Sequence, residues 1–119
     1  MMSRPSILIV ENDAGLREAV ALVLSQEGYE VVVEESGRGE DALQLMHDLD
    51  ALDGLYTDIN LDDCIDGWLI GSRFQLLWPR RPVVYASAGI KKLPLLCNET
   101  FLRKPFDFER LCSVFRPGS

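Results

Sequence analysis

Residues 7–10 form an uninterrupted apolar run, ILIV, that ends directly in Glu11-Asn12-Asp13. A strand that is apolar at every position must be buried on both faces, which is typical of a parallel sheet covered by helices. Parallel strands need long crossover connections, so helical segments should separate this strand from its neighbours. The run therefore predicts an α/β fold whose central strand delivers polar groups to its own end.

Short apolar runs alternate with helical periodicity along the rest of the chain. Leu16, Val20 and Leu24 share one face of a predicted helix, which Gly28 can terminate. Ser36 and Asp107 are suitable caps for two later helices. Four further segments are predicted to be strands: YEVVVE, GLYT, PVVYA and TFLR.

The segment between the fourth and fifth predicted strands, residues 87–99, is short and interrupted by Pro94. It has room for only a turn or two of helix. Five strands joined by helical crossovers predict a doubly wound, five-stranded parallel sheet of order 2-1-3-4-5, a flavodoxin-like fold with a shortened fourth helix.

Composition bounds the class of protein. A chain of 119 residues fits a single domain spanning 1–119. The net charge of −7 argues against direct nucleic-acid binding, which normally needs a basic face. Three cysteines without a paired spacing, no signal peptide and no long apolar run predict a cytoplasmic domain that is not embedded in a membrane.

Polar residues of complementary chemistry follow the predicted strands. Glu11 and Asn12 follow the first, Asp58 the third, Ser87 the fourth and Lys104 the fifth. In the predicted order these strand ends share the edge of the sheet where such folds bind ligands. Clustered carboxylates repel unless a cation lies among them, and Mg²⁺ needs only one or two carboxylates. The residues therefore predict metal-assisted phosphorylation of an aspartate.

With these residues the chain resembles the response-regulator receiver domain of two-component signalling, in its single-domain form. The matching positions are Glu11-Asn12, Asp58, Ser87-Ala88 and Lys104-Pro105-Phe106. The resemblance implies that Asp58 accepts a phosphoryl group from a sensor histidine kinase or a phosphotransfer protein. It implies a regulatory domain that assists its own phosphorylation and dephosphorylation, not an enzyme acting on other substrates.

The resemblance also assigns the remaining roles. Lys104 would bind the phosphoryl oxygens, while Ser87 and Phe101 would form a switch that alters a face for a downstream protein target or a homodimer. Four residues would hold Mg²⁺ directly or through water: Glu11, Asn12, Asp58 and, through its backbone carbonyl, Asn60.

Several positions depart from the family pattern. Asn12 stands where a second carboxylate is usual, which predicts weaker Mg²⁺ binding, and Asp62 stands where a proline is usual. The extra loop carboxylates, Asp62, Asp63 and Asp66, are better explained as solvated or helix-capping groups than as metal ligands. Two alternatives stay open: Phe101 can be a plain core aromatic, and the domain can be a receiver-like interaction module that phosphorylation does not control.

Overall fold

The structure is a computed structural model that describes residues 4–89 and 94–117. Strands and helices alternate along most of the described chain. Their bounds are β1 (Ser6–Val10), α1 (Ala14–Gln26), β2 (Glu30–Glu34), α2 (Gly39–Asp48), β3 (Gly54–Asp58), α3 (Gly67–Leu77), β4 (Val83–Ser87), β5 (Glu99–Arg103) and α4 (Phe108–Phe115). Within these described ranges, no helix is both long and apolar enough to cross a bilayer.

The five strands form one parallel sheet in the order β2-β1-β3-β4-β5, which confirms the predicted topology. Val10 lies opposite Thr57, and Asp58 lies opposite Ala86. Because of this register, β1, β3 and β4 end at nearly the same level. Polar residues that follow these strands therefore emerge together at one edge of the sheet.

Two hydrophobic cores lie on opposite faces of the sheet. Ile7 and Ile9 belong to the core beneath α1 and α4, whereas Leu8 and Val10 belong to the core beneath α2 and α3. Successive side chains of a strand point to opposite faces. The uninterrupted apolar character of ILIV follows directly, since each of its residues enters one core or the other.

Both ends of α1 are capped, and its termination at Gly28 is as predicted. The Asp13 carboxylate accepts a hydrogen bond from the backbone N–H of Leu16 at 2.9 Å and so caps the helix start. At the other end Gly28 adopts φ +98°, and the N–H of Tyr29 donates to the carbonyl of Leu24. This left-handed termination turns the chain into β2.

The predicted cap of α2 by Ser36 is wrong. Ser36 lies outside the helix, and its hydroxyl and backbone N–H both donate to the buried carboxylate of Glu34. Asp63, from the loop after β3, accepts instead from the N–H groups of Gly39 and Glu40 at 2.8 and 2.9 Å. A carboxylate distant in sequence therefore accepts hydrogen bonds from the first N–H groups of α2 and holds the loop after β3 against this helix.

Glycine allows α3 to lie very close to the sheet. A Cβ on Gly71 would come within 1.9 Å of the Tyr85 hydroxyl, and one on Gly67 would come within 2.1 Å of the carbonyl oxygen of Asp58. Both distances are far inside van der Waals contact. Because glycine has only a hydrogen atom in place of a side chain, Gly67 and Gly71 let α3 pack closely against the ends of β3 and β4, next to Asp58.

The predicted shortened fourth helix falls between β4 and β5. The described residues of that connection, 88–89 and 94–98, contain no helix, and residues 90–93 lie outside the described part of the chain. Leu95 from this connection packs against the core beneath α2 and α3, while Leu96 is 57% exposed. The described residues of the connection are thus bends, loop and turn, and any helix in it would have to include residues outside the described part.

Candidate functional site

Residues from three strand ends meet around one ammonium group. The Lys104 Nζ lies 2.8 Å from Oε1 and 3.0 Å from Oε2 of Glu11, and 3.1 Å from Oδ2 of Asp58. Glu11 follows β1, Asp58 ends β3 and Lys104 follows β5. The structure thus brings these three predicted site residues into direct contact.

Both carboxylates of this cluster are buried. Glu11 is 0% exposed and Asp58 is 3% exposed. Glu11 also accepts hydrogen bonds from the Tyr56 hydroxyl at 2.8 Å and from the Asp13 N–H at 3.1 Å. Charged groups of this kind are tolerated in a protein interior only when they are paired and hydrogen-bonded, and Glu11 meets that condition fully.

The pKa of Asp58 is raised from 3.8 to about 6. Burial is the main cause, because it disfavours the charged form, and the neighbouring Glu11 adds to it through a hydrogen bond and its negative charge. Lys104 acts in the opposite direction and only partly offsets these effects. Two buried carboxylates thus share one ammonium group.

Asn12 and Asn60 lie at the open side of the cluster, and both side chains are exposed. The N–H of Asn60 donates to Oδ1 of Asp58 at 3.2 Å. The Asn12 amide nitrogen lies 3.5 Å from Oδ1 of Asp62, which makes that hydrogen bond weak. The amide oxygen of Asn12 makes no hydrogen bond with the described residues.

The loop after β3 folds over this open side. The N–H of Asp62 donates to the carbonyl of Gly37 at 2.9 Å, which places the Asp62 carboxylate beside Asn12. Asp66 accepts from the N–H of Leu69 at 3.0 Å and caps α3. With Asp63 on the start of α2, two of the three extra loop carboxylates cap helices, as the sequence predicted.

Ser87 and Phe101 lie on the β4–β5 side of the pocket. Ser87 is 3% exposed; its hydroxyl accepts from the N–H of Gly89 at 3.0 Å, and its carbonyl accepts from the N–H of Lys104 at 2.9 Å. Phe101 is half-buried, lies opposite Tyr85 in the register and packs against the core beneath α2 and α3. Phe101 is therefore at least part of that core.

The donor set fits Mg²⁺. Within residues 4–89 and 94–117, no three His, Cys, Asp or Glu side chains form a group able to enclose a metal ion. Mg²⁺ does not need such a cage, since it usually keeps several waters and takes one or two carboxylates. Asp58 and Asn12 offer hard oxygen donors, and two buried carboxylates, Glu11 and Asp58, share the single ammonium group of Lys104.

Tyr56 is the site residue that sequence reasoning missed. It lies on β3 two residues before Asp58, is fully buried, and packs its ring 6.1 Å from that of Phe106. Its hydroxyl donates to Glu11 across the sheet. A buried tyrosine nearly always needs a partner for its hydroxyl, so a Tyr in an otherwise apolar strand was the available signal.

Comparison with known proteins agrees with this geometry. The family model of the response regulator receiver domain matches residues 7–116. The transcriptional regulatory protein GlrR of Escherichia coli K12 is 32% identical over 118 residues, which cover 93% of this chain and 26% of that protein. CreB of the same organism, also a transcriptional regulatory protein, is 27% identical over 97% of this chain and 51% of its own length. The chain thus spans about a quarter of the first and about half of the second of these curated relatives.

Solved structures share the fold. A response regulator receiver protein from Sinorhizobium medicae superimposes with a TM-score of 0.81 at 24% identity, covering 97% of this chain and 94% of that one. The receiver domain of the hybrid histidine kinase CckA gives 0.71 at 25% identity, covering 93% and 99%. The sheet order, the acidic cluster with its lysine and the match over residues 7–116 lead to one conclusion: the chain belongs to the response regulator receiver domain family of two-component signalling.

Proposed function

We propose that this receiver domain is a phosphorylation-controlled switch in which Asp58 accepts a phosphoryl group from a sensor histidine kinase or a phosphotransfer protein. The observation that carries the proposal is the contact of Lys104 Nζ with both Glu11 and Asp58 at 2.8 to 3.1 Å. It supports Asp58 as the acceptor because an ammonium group next to the nucleophile can receive the incoming phosphoryl oxygens.

The transfer itself requires little covalent chemistry from the protein. One carboxylate oxygen of Asp58 attacks the phosphorus, the P–N bond of the donor phosphohistidine breaks, and the imidazole leaves with the bonding electrons. Burial of Asp58 leaves its carboxylate poorly hydrated, which favours attack. Lys104 then exchanges part of its contact with Asp58 for the phosphoryl oxygens.

Mg²⁺, when bound, supplies positive charge that lowers the repulsion between the Asp58 carboxylate and the phosphoryl oxygens. Asp58, Asn12 and the carbonyl of Asn60 are the candidates to hold it directly. Glu11 is the candidate to act through water, because Tyr56 and Lys104 already bind its oxygens. The neutral amide of Asn12 removes one charge from the usual set, so the expected affinity is lower than for a site with two carboxylates.

Ser87 and Phe101 are the proposed route from phosphate to partner. The Ser87 hydroxyl would leave the Gly89 N–H and donate to the phosphoryl group, which shifts the connection between β4 and β5. The Phe101 side chain would then move further into the core. The surface around it would in this way change between two packing arrangements. The E. coli relatives are transcriptional regulatory proteins, which supports a downstream protein target, and a homodimer is a further candidate partner.

The competing proposal is an interaction module that phosphorylation does not control. Asn12 favours it, because loss of a metal ligand charge is one way for a receiver to lose phosphorylation. The intact contact between Lys104 and Asp58 favours the switch instead, since a module without phosphotransfer has no need of this buried triad.

Acetyl phosphate in the presence of Mg²⁺ should label the wild-type domain, and Asp58→Asn should abolish the label. Asp48→Asn, which removes an exposed carboxylate on α2, should label normally. Incorporation of radioactive phosphate measures the effect. Equal labelling of Asp58→Asn would refute Asp58 as the acceptor, and no labelling of the wild type by any phosphodonor would favour the interaction module.

Asn12→Asp should lower the Mg²⁺ concentration at half-maximal labelling, by roughly three- to tenfold, because it adds a negative charge at the metal site. A titration of labelling rate against Mg²⁺ measures this midpoint. Glu18→Gln, which changes an exposed charge on α1, is the matched control for general electrostatics. An unchanged midpoint in Asn12→Asp would exclude Asn12 as a ligand.

Tyr56→Phe should slow labelling several-fold, because it removes the hydroxyl that orients the Glu11 carboxylate beside Lys104. Loss of a hydrogen bond to a charged group should also lower the free energy of unfolding by about 1–3 kcal/mol. Tyr85→Phe is the matched control, since its buried hydroxyl donates to Glu99 at 2.6 Å, outside the Lys104 cluster. If both variants slow labelling equally, the effect is one of stability and not of positioning.

Asp58→Asn should stabilise the fold at pH 8 more than at pH 4. The native pKa of about 6 lies above the ordinary 3.8, so the native state binds this proton more tightly than the unfolded chain does. The resulting stability is present below about pH 4 and is lost as the pH rises through 6. Asp58→Asn should therefore raise the free energy of unfolding by up to about 3 kcal/mol at pH 8 and by much less at pH 4. Urea unfolding at several pH values measures this, and a difference independent of pH would contradict the assigned pKa.

A further inference from the structure

The charge of the chain is sharply divided along the sequence. Residues 67–119 contain nine of the twelve basic residues and three of the nineteen acidic ones, giving +6 against −13 for residues 1–66. The described residues of this part, 67–89 and 94–117, include seven basic side chains and three acidic ones, and β4 and β5 lie together at one side of the sheet. An acidic protein therefore has one basic side, remote from β2.

A groove lies on this basic side, at the end of the sheet opposite Asp58. It has a volume of about 840 Å³ and runs between the start of β5 and the C-terminal half of α4. Arg80 and Arg110 line it together with the hydroxyl-bearing residues Thr100 and Ser113. The position makes the groove independent of the phosphorylation pocket.

Two of the arginines that line the groove have no acidic partner among the described residues. Arg116 also lines the groove, but Glu27 and Glu109 neutralise it through hydrogen-bonded ion pairs. The guanidinium groups of Arg80 and Arg110 have neither an ion pair nor a hydrogen bond with any residue in the described ranges. Both are exposed, and they leave net positive charge along the groove.

Arg80 is also held in a backbone conformation that suits it poorly. Its φ is +73°, in the left-handed region that glycine adopts freely, and it is the only described residue other than glycine with a positive φ. Residues held in this way are often found where a side chain is needed for function. The strain places a guanidinium at the mouth of the groove, where glycine would give an easier turn.

We infer that this groove binds an extended acidic peptide segment of a partner protein, with Arg80 and Arg110 receiving its carboxylates. Guanidinium groups pair with carboxylates in a bidentate manner, and β5 has a strand neighbour on only one side in the described sheet. The open backbone of an edge strand is suited to an extended peptide. The groove also has room for several residues, since its volume of about 840 Å³ is near the upper end for ligand clefts.

Nucleic acid fits the groove less well. Single strands are usually bound by stacking bases on exposed aromatic rings. The aromatic residue that lines the groove among the described residues is Phe115, which is only 7% exposed. The net charge of −7 also opposes approach of a long polyanion. Carboxylates on a short peptide are therefore the better match.

The test uses fluorescence anisotropy of a labelled short peptide that alternates Glu with Val, and of its counterpart with Gln in place of Glu. The Glu peptide should bind saturably and weaken as salt is raised, whereas the Gln peptide should bind much less. Arg80→Gly and Arg110→Gln should each weaken binding roughly tenfold. Arg80→Gly should also raise the melting temperature, since glycine relaxes the backbone, so a folding defect would not explain its loss of binding.

Arg81→Gln is the matched control. Arg81 adjoins Arg80 in sequence, but its guanidinium forms an ion pair with the Asp53 carboxylate at 3.8 Å. It should leave peptide affinity unchanged. Equal weakening by Arg81→Gln would show unspecific attraction and overturn the inference. So would failure of the Glu peptide to bind up to millimolar concentration, or Arg80-dependent binding of a single-stranded oligonucleotide in preference to the peptide. Asp58→Asn should bind the peptide as the wild type does, so this test stands apart from the phosphorylation proposal.

Discussion

The ammonium group of Lys104 lies between two buried carboxylates, and the rest of the pocket depends on that contact. Glu11 is 0% exposed, so without Lys104 it would be a buried charge with only hydrogen-bonded neutral partners. Loss of Lys104 should be strongly destabilising, because it would leave two buried carboxylates without a cation. The parallel sheet makes the contact possible, since it brings the ends of β1, β3 and β5 to one edge.

Most of the fold and the centre of the site could be predicted from the sequence. The run ILIV required a strand buried on both faces, and the alternation of strands and helices then required a parallel sheet. The same order predicted that Glu11, Asp58 and Lys104 would converge, and they do. These predictions succeeded because they follow from topology, which periodicity determines, and not from side-chain detail.

The rest depends on contacts between segments that are far apart in sequence. Asp63 caps α2 in place of Ser36 because the loop after β3 folds against that helix, a docking that local patterns do not encode. The hydrogen bond from Tyr56 to Glu11 likewise requires the β1–β3 register before it can be foreseen. Gly67 and Gly71 read in sequence as weak points of a helix, whereas the structure uses them for close packing against β3 and β4.

The departures from the family pattern are concentrated around the pocket and beside β5. Asn12 places a neutral amide at the pocket where a carboxylate is usual, while the described residues between β4 and β5 form no helix. The pocket and the basic groove lie at opposite ends of the sheet, so a change in one need not disturb the other. The cluster around Asp58 and the surface beside β5 can therefore vary independently of each other.

The central claim, that Asp58 carries the phosphoryl group beside Lys104, is tested most directly by locating the modified residue. After reaction with a phosphodonor and Mg²⁺, borohydride reduces an aspartyl phosphate to homoserine, which tandem mass spectrometry can place in the sequence. We predict homoserine at position 58 in the wild type and greatly reduced conversion in Lys104→Ala. Homoserine at another aspartate, or unreduced Asp58 after verified phosphorylation of the protein, would contradict the account.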